Sequence, residues 1–228
     1  MTDAIKLRYE ILQERIKTAC QKAHRQASEV HLLAASKGQS IEAIAQLYDL
    51  GQRDFGENYI DELLAKKKAL QEICPHIRWH FIGQIQTNKA KKIAAADCIH
   101  SVSSEKQALS LAKYRSKENP LAVFLQVNLS EDIHRGGVLV SDLETLCRCL
   151  QAMKALALKG LMVILPLEME KDPGPGFRRV AQIKNMLEHD GSLLPELSMG
   201  MSYDFTEAIV SGSTWIRIGS LLFGDRNK

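Results

Sequence analysis

The sequence has little that would place the protein outside the cytoplasm. No apolar stretch approaches the ~20 residues that span a bilayer. The first ten residues are polar and charged, without the apolar centre of a signal peptide. The five cysteines are scattered, odd in number and without the spacing of a zinc site, which suits a reducing compartment. We therefore expect a cytoplasmic protein with no membrane partner.

A strong excess of one charge is also absent. The chain has 30 basic and 27 acidic side chains, and a net charge of +3 gives no argument for binding nucleic acid or an anionic surface. The lysines at 66–68 and 89–92 lie on helical patterns, and we interpret them as solvated helix faces. With 228 residues, 45% of them hydrophobic, the chain has the size of one barrel domain, residues 1–228.

Short apolar segments alternate regularly with amphipathic ones, and this alternation predicts a parallel sheet with right-handed crossovers. Eight repeats favour a closed (β/α)8 TIM barrel, preceded by a helix at about 4–26, over an open, doubly wound sheet of roughly seven strands. The open sheet remains an alternative because the second strand is short. The predicted strands are His31–Ser36, Asp54–Glu57, Arg78–Gly83, Cys98–Val102, Leu121–Asn128, Lys159–Leu165, Glu196–Gly200 and Trp215–Gly219. The predicted helices between them are Ile41–Leu50, Tyr59–Glu72, Asn88–Ala95, Glu105–Lys117, Asp142–Leu156, Phe177–His189 and Phe205–Ser211.

One segment has the composition of a loop rather than of an element. Its prolines and glycines predict that Glu168–Gly176 is an irregular surface loop at the barrel mouth. A lid over the site is the alternative interpretation.

Lys37 follows the first predicted strand, at the edge where ligands and catalytic groups collect in parallel α/β folds. Partial desolvation lowers the pKa of a lysine and makes its amine available to form a Schiff base with a carbonyl. On position alone, a side chain that extends from the strand end into water is the simpler interpretation.

Two late segments predict an anion site beside Lys37. Ser202 lies between a strand and a helix, where backbone amides and its hydroxyl can hold a phosphate, although it can equally cap the helix. Gly219 and Ser220 follow the last strand, and loops after strands seven and eight commonly form a phosphate site in TIM barrels. Arg217 would then lie inside the barrel and need a partner. The sequence favours an acidic neighbour over a ligand ring nitrogen.

Two other polar residues lie on predicted strands. His80 points to the opposite face from its strand neighbours, and we interpret it as a hydrogen-bonded core histidine. Glu57 can face the barrel mouth or pair with a lysine, and the sequence does not decide between the two.

Several motifs together resemble the pyridoxal phosphate homeostasis protein family. They occur in the family's order and cover nearly the whole chain, although Gly38-Gln39-Ser40, Gln84-Ile85 and His134-Arg135 depart from the usual family pattern. The motifs are Ala-Ser-Lys at 35–37, Phe-Gly-Glu-Asn-Tyr at 55–59, Trp-His-Phe-Ile-Gly with Gln-Thr-Asn-Lys at 79–89, Gly-Leu-Met at 160–162, Leu-Ser-Met-Gly-Met-Ser-Tyr-Asp at 197–204, and Arg-Ile-Gly-Ser with Phe-Gly at 217–224.

The resemblance implies a barrel similar to the N-terminal domain of alanine racemase, with pyridoxal 5′-phosphate (PLP) as the cofactor. By position in the motifs, Lys37 would form the Schiff base and Arg217 would face the pyridine nitrogen. Ser202, Gly219 and Ser220 would hold the phosphate, and Asn58 would lie beside the ring.

The function implied is storage, buffering or delivery of PLP to apo PLP-dependent enzymes, with little or no turnover. We expect a monomer, and the racemase's second domain, which supplies a tyrosine base, has no counterpart in these 228 residues. Two alternatives stay open. One is a weak PLP-dependent amino-acid racemase or related enzyme, and the other is a sugar-phosphate enzyme that forms a Schiff base with its substrate.

Overall fold

The computed structural model describes residues 2–130, 132 and 134–224. The strands are β1 His31–Ala35, β2 Asp54–Glu57, β3 Arg78–Phe81, β4 Cys98–Val102, β5 Leu121–Asn128, β6 Val138–Leu139, β7 Leu156–Val163, β8 Glu196–Ser198 and β9 Trp215–Ile218. Eight of them are parallel and form a closed barrel, because the order β4-β3-β2-β1-β9-β8-β7-β5 is completed by pairing between β4 and β5. The two-residue strand β6 extends the sheet beside β5. The closed barrel is thus confirmed over the open sheet.

Helices surround the barrel, and the leading helix packs against the second helix and against the last two. None of the helices in the described ranges is long and apolar enough to cross a membrane. The helices are α1 Thr2–Lys22, α2 Ile41–Asp49, α3 Ile60–Leu70, α4 Ala90–Ile93, α5 Glu105–Ala112, α6 Leu143–Ala152, α7 Gly174–His189, α8 Phe205–Val210 and α9 Ser220–Phe223.

Most strand residues alternate between two apolar clusters. The larger cluster lies between the barrel and its helices and includes Phe55, Trp79 and Phe81. The smaller one lies inside the barrel and is formed by Leu33, Cys98, Phe124, Met162 and Trp215. Strand residues that face opposite sides of a sheet produce this separation.

Two of the element boundaries that differ from the predictions have a visible structural cause. Strand β7 begins at Leu156, three residues early, because its long partner β5 pairs with it from Leu121 onward. Helix α5 ends at Ala112, because Arg115 donates to the carbonyls of Ala94 and Ala96 and ties the following segment to the preceding turn.

The predicted irregular loop Glu168–Gly176 is partly wrong. A 3-10 turn covers Leu167–Met169, and α7 begins at Gly174 with Pro175 in its first turn. Proline is tolerated there because the first amides of a helix have no intrahelical acceptor. The irregular part is reduced to residues 170–173.

Candidate cofactor site at the barrel mouth

A cavity of about 390 Å³ opens at the carboxyl ends of β1 and β9. Five of the six predicted site residues line it, and they come from three separate parts of the chain. Strand pairing explains this convergence, because Leu33 lies opposite Arg217 and Ala34 opposite Ile218 in the parallel β1–β9 ladder. The five residues are Lys37, Ser202, Arg217, Gly219 and Ser220.

The backbone on both sides of Lys37 is held by charged side chains of α3. Lys66 Nζ donates to the carbonyl of Ser36 at 2.7 Å, and the amide of Gly38 donates to Glu62 Oε1 at 2.7 Å. Lys66 also donates to Glu62 at 2.6 Å, which joins the two contacts. The prediction that Lys66 belongs to a solvated face is wrong, since only 6% of the residue is exposed. This network sets where the Lys37 side chain leaves the backbone.

Glu57, whose role the sequence left undecided, pairs with a lysine. Its Oε1 accepts from Lys66 at 2.8 Å and from the Ser36 hydroxyl at 2.6 Å. Burial raises the pKa of Glu57 above its ordinary value, and the bonds from Lys66 and Ser36 oppose that effect. The carboxylate is fully buried, so it stabilises the fold only while these donors remain.

Arg217 is buried inside the barrel and lines the cavity. Its Nη1 donates to the carbonyl and hydroxyl of Ser198 at 2.8 and 3.0 Å, and Nη2 donates to the carbonyl of Val163 at 2.9 Å. The acidic neighbour that the sequence favours as the partner of Arg217 is not hydrogen-bonded to it among the described residues. Asp204 acts on it only through space, and burial lowers the pKa of Arg217 to about 10, so the group stays cationic at neutral pH.

Ser202 lies in the turn between β8 and α8, with 8% of the residue exposed. It does not cap α8, since that helix begins at Phe205 after Asp204. The turn depends on Gly200, whose φ is +94° and where a Cβ atom would lie 2.6 Å from the Cβ of Ala208. Ser202 thus lines the cavity without capping the helix.

Gly219 and Ser220 lie where β9 passes into α9. The first amides of a helix have no intrahelical acceptor, so the backbone here offers donors to an anion. Together with Ser202, these donors form a pocket suited to a phosphate, and the buried cation of Arg217 lines the same cavity. Lys37 adds an amine on the same cavity.

Asn58 is the one predicted residue that does not line the cavity among the described residues. It follows β2, and Gly83 packs against it so closely that a Cβ atom on Gly83 would lie 1.8 Å from the Asn58 carbonyl oxygen. Asn58 Oδ1 is buried without a hydrogen-bond partner among the described residues. An unpaired buried polar atom is costly, and a ligand group beside it would relieve that cost.

The sequence interpretation missed the groups that support Lys37 and Arg217. A signal for Lys66 existed, because Ile60, Leu63, Lys66 and Leu70 recur at the spacing of one buried helix face. Nothing comparable pointed to Ser198, because its contact with Arg217 depends on the approach of β8 and β9 in space.

Comparison with known proteins agrees with the family that the sequence motifs resemble. The family model of the alanine racemase N-terminal domain matches residues 8–227. A pyridoxal phosphate homeostasis protein of Pseudomonas aeruginosa is 39% identical over 221 residues, 93% of this chain and 92% of the relative. The protein of that name from Aquifex aeolicus is 38% identical over 217 residues, 93% and 94% of the two chains. The chain belongs to the pyridoxal phosphate homeostasis protein family.

Solved structures place this family member among similar barrels. PipY of Synechococcus elongatus, determined with PLP bound, matches with a TM-score of 0.81 and 35% identity over 93% of this chain and 99% of its own. An unknown protein from Bifidobacterium adolescentis matches with a TM-score of 0.90 and 30% identity over 97% and 95%. Alanine racemase from Corynebacterium glutamicum, at 17% identity and a TM-score of 0.69, shares the fold over 100% of this chain and 62% of its own.

Proposed function

We propose that this protein binds PLP covalently and reversibly through Lys37 and thereby buffers or delivers the cofactor, with little or no catalytic turnover. The observation that carries the proposal is the convergence of Lys37, Ser202, Arg217, Gly219 and Ser220 on one cavity. Support comes from the PLP-bound PipY structure and from relatives named as homeostasis proteins. In this proposal the whole chain, residues 1–228, acts as one PLP-binding domain and as a monomer.

The residues present fit this cofactor. Ser202, Gly219 and Ser220 supply hydroxyl and amide donors for the phosphate, and Lys37 supplies the amine. Asn58, whose Oδ1 lacks a partner among the described residues, lies next in sequence to β2 and has a free acceptor for a ring substituent. PLP supplies an aldehyde that an amine binds reversibly and a pyridine ring that takes up electron density most strongly when protonated.

Arg217 is the group that restrains catalysis in this proposal. A permanently cationic guanidinium facing the ring nitrogen disfavours protonation of that nitrogen. The side chain cannot adapt readily, because the Ser198 and Val163 bonds hold it inside the barrel. Proton abstraction from a bound amino acid is then weakly promoted, whereas covalent binding by Lys37 is not affected.

Absorbance and peptide mapping test the anchor. The wild-type protein incubated with PLP should absorb in the visible, and borohydride should fix one phosphopyridoxyl group on the peptide that contains Lys37. Lys37→Ala should lose the adduct and Lys68→Ala, which alters an exposed lysine of α3, should retain it. An adduct on another lysine would refute the assignment, and a colourless protein that takes up no PLP would favour a sugar-phosphate enzyme.

A second measurement separates the carrier from the enzyme. The PLP-loaded protein should transfer its cofactor to an apo PLP-dependent enzyme and restore that enzyme's activity. Incubation with the common amino acids should give no racemisation or deamination above that of free PLP. Turnover at ordinary enzymatic rates would establish the alternative, a PLP-dependent amino-acid racemase or related enzyme.

A further inference from the structure

A continuous row of hydrogen bonds runs through the barrel interior and ends on Arg217. Arg217 Nη1 contacts Ser198 Oγ at 3.0 Å, and Ser198 Oγ lies 2.8 Å from His100 Nδ1. His100 Nε2 lies 2.9 Å from His80 Nδ1, and His80 Nε2 lies 3.0 Å from Asp54 Oδ1. All five residues are buried, with at most 6% of any of them exposed.

The row connects the two ends of the barrel. Asp54 and His80 line a second cavity, of about 270 Å³, whose walls include the first residues of several barrel strands. Arg217 lines the cavity at the opposite, carboxyl end. The two cavities are therefore linked by polar groups through an otherwise apolar interior. The first strand residues that line the second cavity are His31, Asp54, Arg78, Cys98, Glu196 and Trp215.

With both imidazoles neutral, the direction of each bond follows from which groups at the two ends can only donate or only accept. Arg217 only donates, so Ser198 Oγ accepts from it and its own hydrogen is available for His100 Nδ1. His100 then carries its proton on Nε2 and donates to His80 Nδ1. His80 in turn carries its proton on Nε2 and donates to the Asp54 carboxylate, which only accepts. Every donor in the row points from Arg217 towards Asp54.

The charges at the two ends agree with this direction. Burial alone would raise the pKa of Asp54, but bonds from His80 and Arg78 outweigh it and lower the pKa to about 2. Burial, together with nearby His80 and Arg217, lowers the pKa of His100 well below its ordinary value. A neutral His100 thus lies between a cation and an anion, and a chain of aligned bonds between opposite charges is mutually strengthening.

Neighbouring rings hold the two imidazoles in this orientation. Phe124 stacks on His100 with ring centroids 4.4 Å apart, and Trp215 lies against His80 at 5.0 Å. Rings packed in this way cannot turn to exchange partners without moving the small interior cluster.

We propose that Asp54, His80, His100 and Ser198 are positioning residues that fix Arg217 towards the cofactor cavity. In this row of hydrogen bonds, every donor is directed from Arg217 towards Asp54. None of the four lines that cavity, so they act through Arg217. Only the consequence for PLP affinity rests on the proposed function. The orientation of the bonds belongs to the folded protein itself.

Nitrogen NMR of the histidines in the PLP-free, metal-free full chain tests the orientation. The imidazole signals of His80 and His100, assigned by loss in His80→Gln and His100→Gln, should both report neutral rings protonated on Nε2. A cationic His80, or a proton on His100 Nδ1, would overturn the proposal.

The same spectrum detects a competing arrangement. Cys98 lies close enough to both histidines for the three side chains to hold a metal ion. Burial raises the pKa of the Cys98 thiol and so disfavours the thiolate that a metal needs. Added Zn²⁺ should leave the imidazole signals of His80 and His100 unchanged. A shift of both signals at one equivalent of Zn²⁺ would show a metal site in place of the row of hydrogen bonds.

PLP titration tests the link to Arg217. Asp54→Asn and Ser198→Ala should each weaken PLP binding by about three- to tenfold, the size of one hydrogen-bond contribution. The double variant should lose no more PLP affinity than the single variant that binds PLP less tightly, because both substitutions break the same row of hydrogen bonds. Arg78→Gln, which removes only the exposed partner of Asp54, should bind within about twofold of wild type.

Three outcomes of the titration would overturn the proposal: unchanged affinity in both single variants, additive losses in the double variant, or an equal loss in Arg78→Gln. If the wild-type protein binds no PLP, the proposed function fails, while the NMR result still decides the orientation of the chain. If Asp54→Asn does not fold, PLP titration of Ser198→Ala and the NMR spectrum of the wild-type histidines together test the proposal.

Discussion

At the scale of single residues, the site depends on charges that lie beneath it. Lys66 and Glu62 hold the backbone around Lys37, and Glu57 is buried between Lys66 and Ser36. Charged groups in such positions contribute mainly by keeping one another paired. The consequences of removing one partner can therefore be predicted.

Lys66→Met should destabilise the protein by about 3–5 kcal/mol, because it leaves the Glu57 carboxylate buried without its cation. Lys67→Met is the matched control: its ion pair with Asp97 is half exposed at 3.7 Å and should change stability by less than about 1 kcal/mol. Urea unfolding of both variants measures the difference. Adding Glu57→Gln to Lys66→Met should restore part of the loss, and equal losses in the two lysine variants would contradict the account.

Asp54 should make stability depend on pH in the acidic range. Its folded pKa of about 2 lies below the ordinary value, so its contribution is full above about pH 4 and is lost as pH falls towards 2. A depression of this size corresponds to roughly 2 kcal/mol. Urea unfolding should show that wild type has a larger free energy of unfolding than Asp54→Asn at pH 6. This difference should narrow between about pH 4 and pH 2. A difference of constant size would rule out the titration of Asp54 as its source.

At the scale of elements, the turn between β8 and α8 shows how local backbone geometry positions a site residue. Gly200 adopts a positive φ and packs against α8, and Ser202 follows two residues later. A side chain at position 200 would be opposed by both the backbone conformation and the neighbouring helix.

Gly200→Ala should lower the free energy of unfolding by more than its positive φ alone would cause. Gly212 has nearly the same φ, +97°, with nothing within 4 Å of an added Cβ, so Gly212→Ala should cost only about 1–2 kcal/mol. Gly200→Ala should cost at least about 1 kcal/mol more, because its Cβ overlaps Ala208. The turn must shift to accept it, so PLP binding should weaken in Gly200→Ala alone. Similar unfolding energies and affinities for the two variants would show that the turn adapts freely.

At the scale of the whole molecule, the barrel brings together residues that are far apart in sequence. Lys37 and Arg217 lie near each other because β1 and β9, from opposite ends of the sequence, pair in parallel as the barrel closes. The cofactor cavity therefore exists only in the folded protein, and its ligand should bind the folded state selectively.

PLP should stabilise the folded state by mass action. At a free concentration one hundred times its Kd, the gain is about 2.7 kcal/mol. For a chain of this size, the corresponding rise in Tm is roughly 5–10 °C. Thermal unfolding with and without PLP measures the rise, which should be much smaller in Lys37→Ala. An equal rise in both proteins would show that the stabilising site is not the one around Lys37.

The sequence by itself determined most of the elements of this protein and their order along the chain. Hydrophobic periodicity located all eight barrel strands, because strand and helix faces repeat at different spacings. The predicted strand ends also indicated Lys37 and the segment from Arg217 to Ser220 as candidate site residues, because ligands bind at the carboxyl ends of parallel strands.

Only the tertiary structure decided which side chains support those residues. The burial of Lys66, the hydrogen bonds of Arg217 and the row from Ser198 to Asp54 all join residues of different elements. Such contacts depend on distance and direction in space, whereas a sequence pattern reports only which face of its own element a residue occupies. For this reason the sequence indicated a site for PLP, and the fold determined how its lysine and arginine are held.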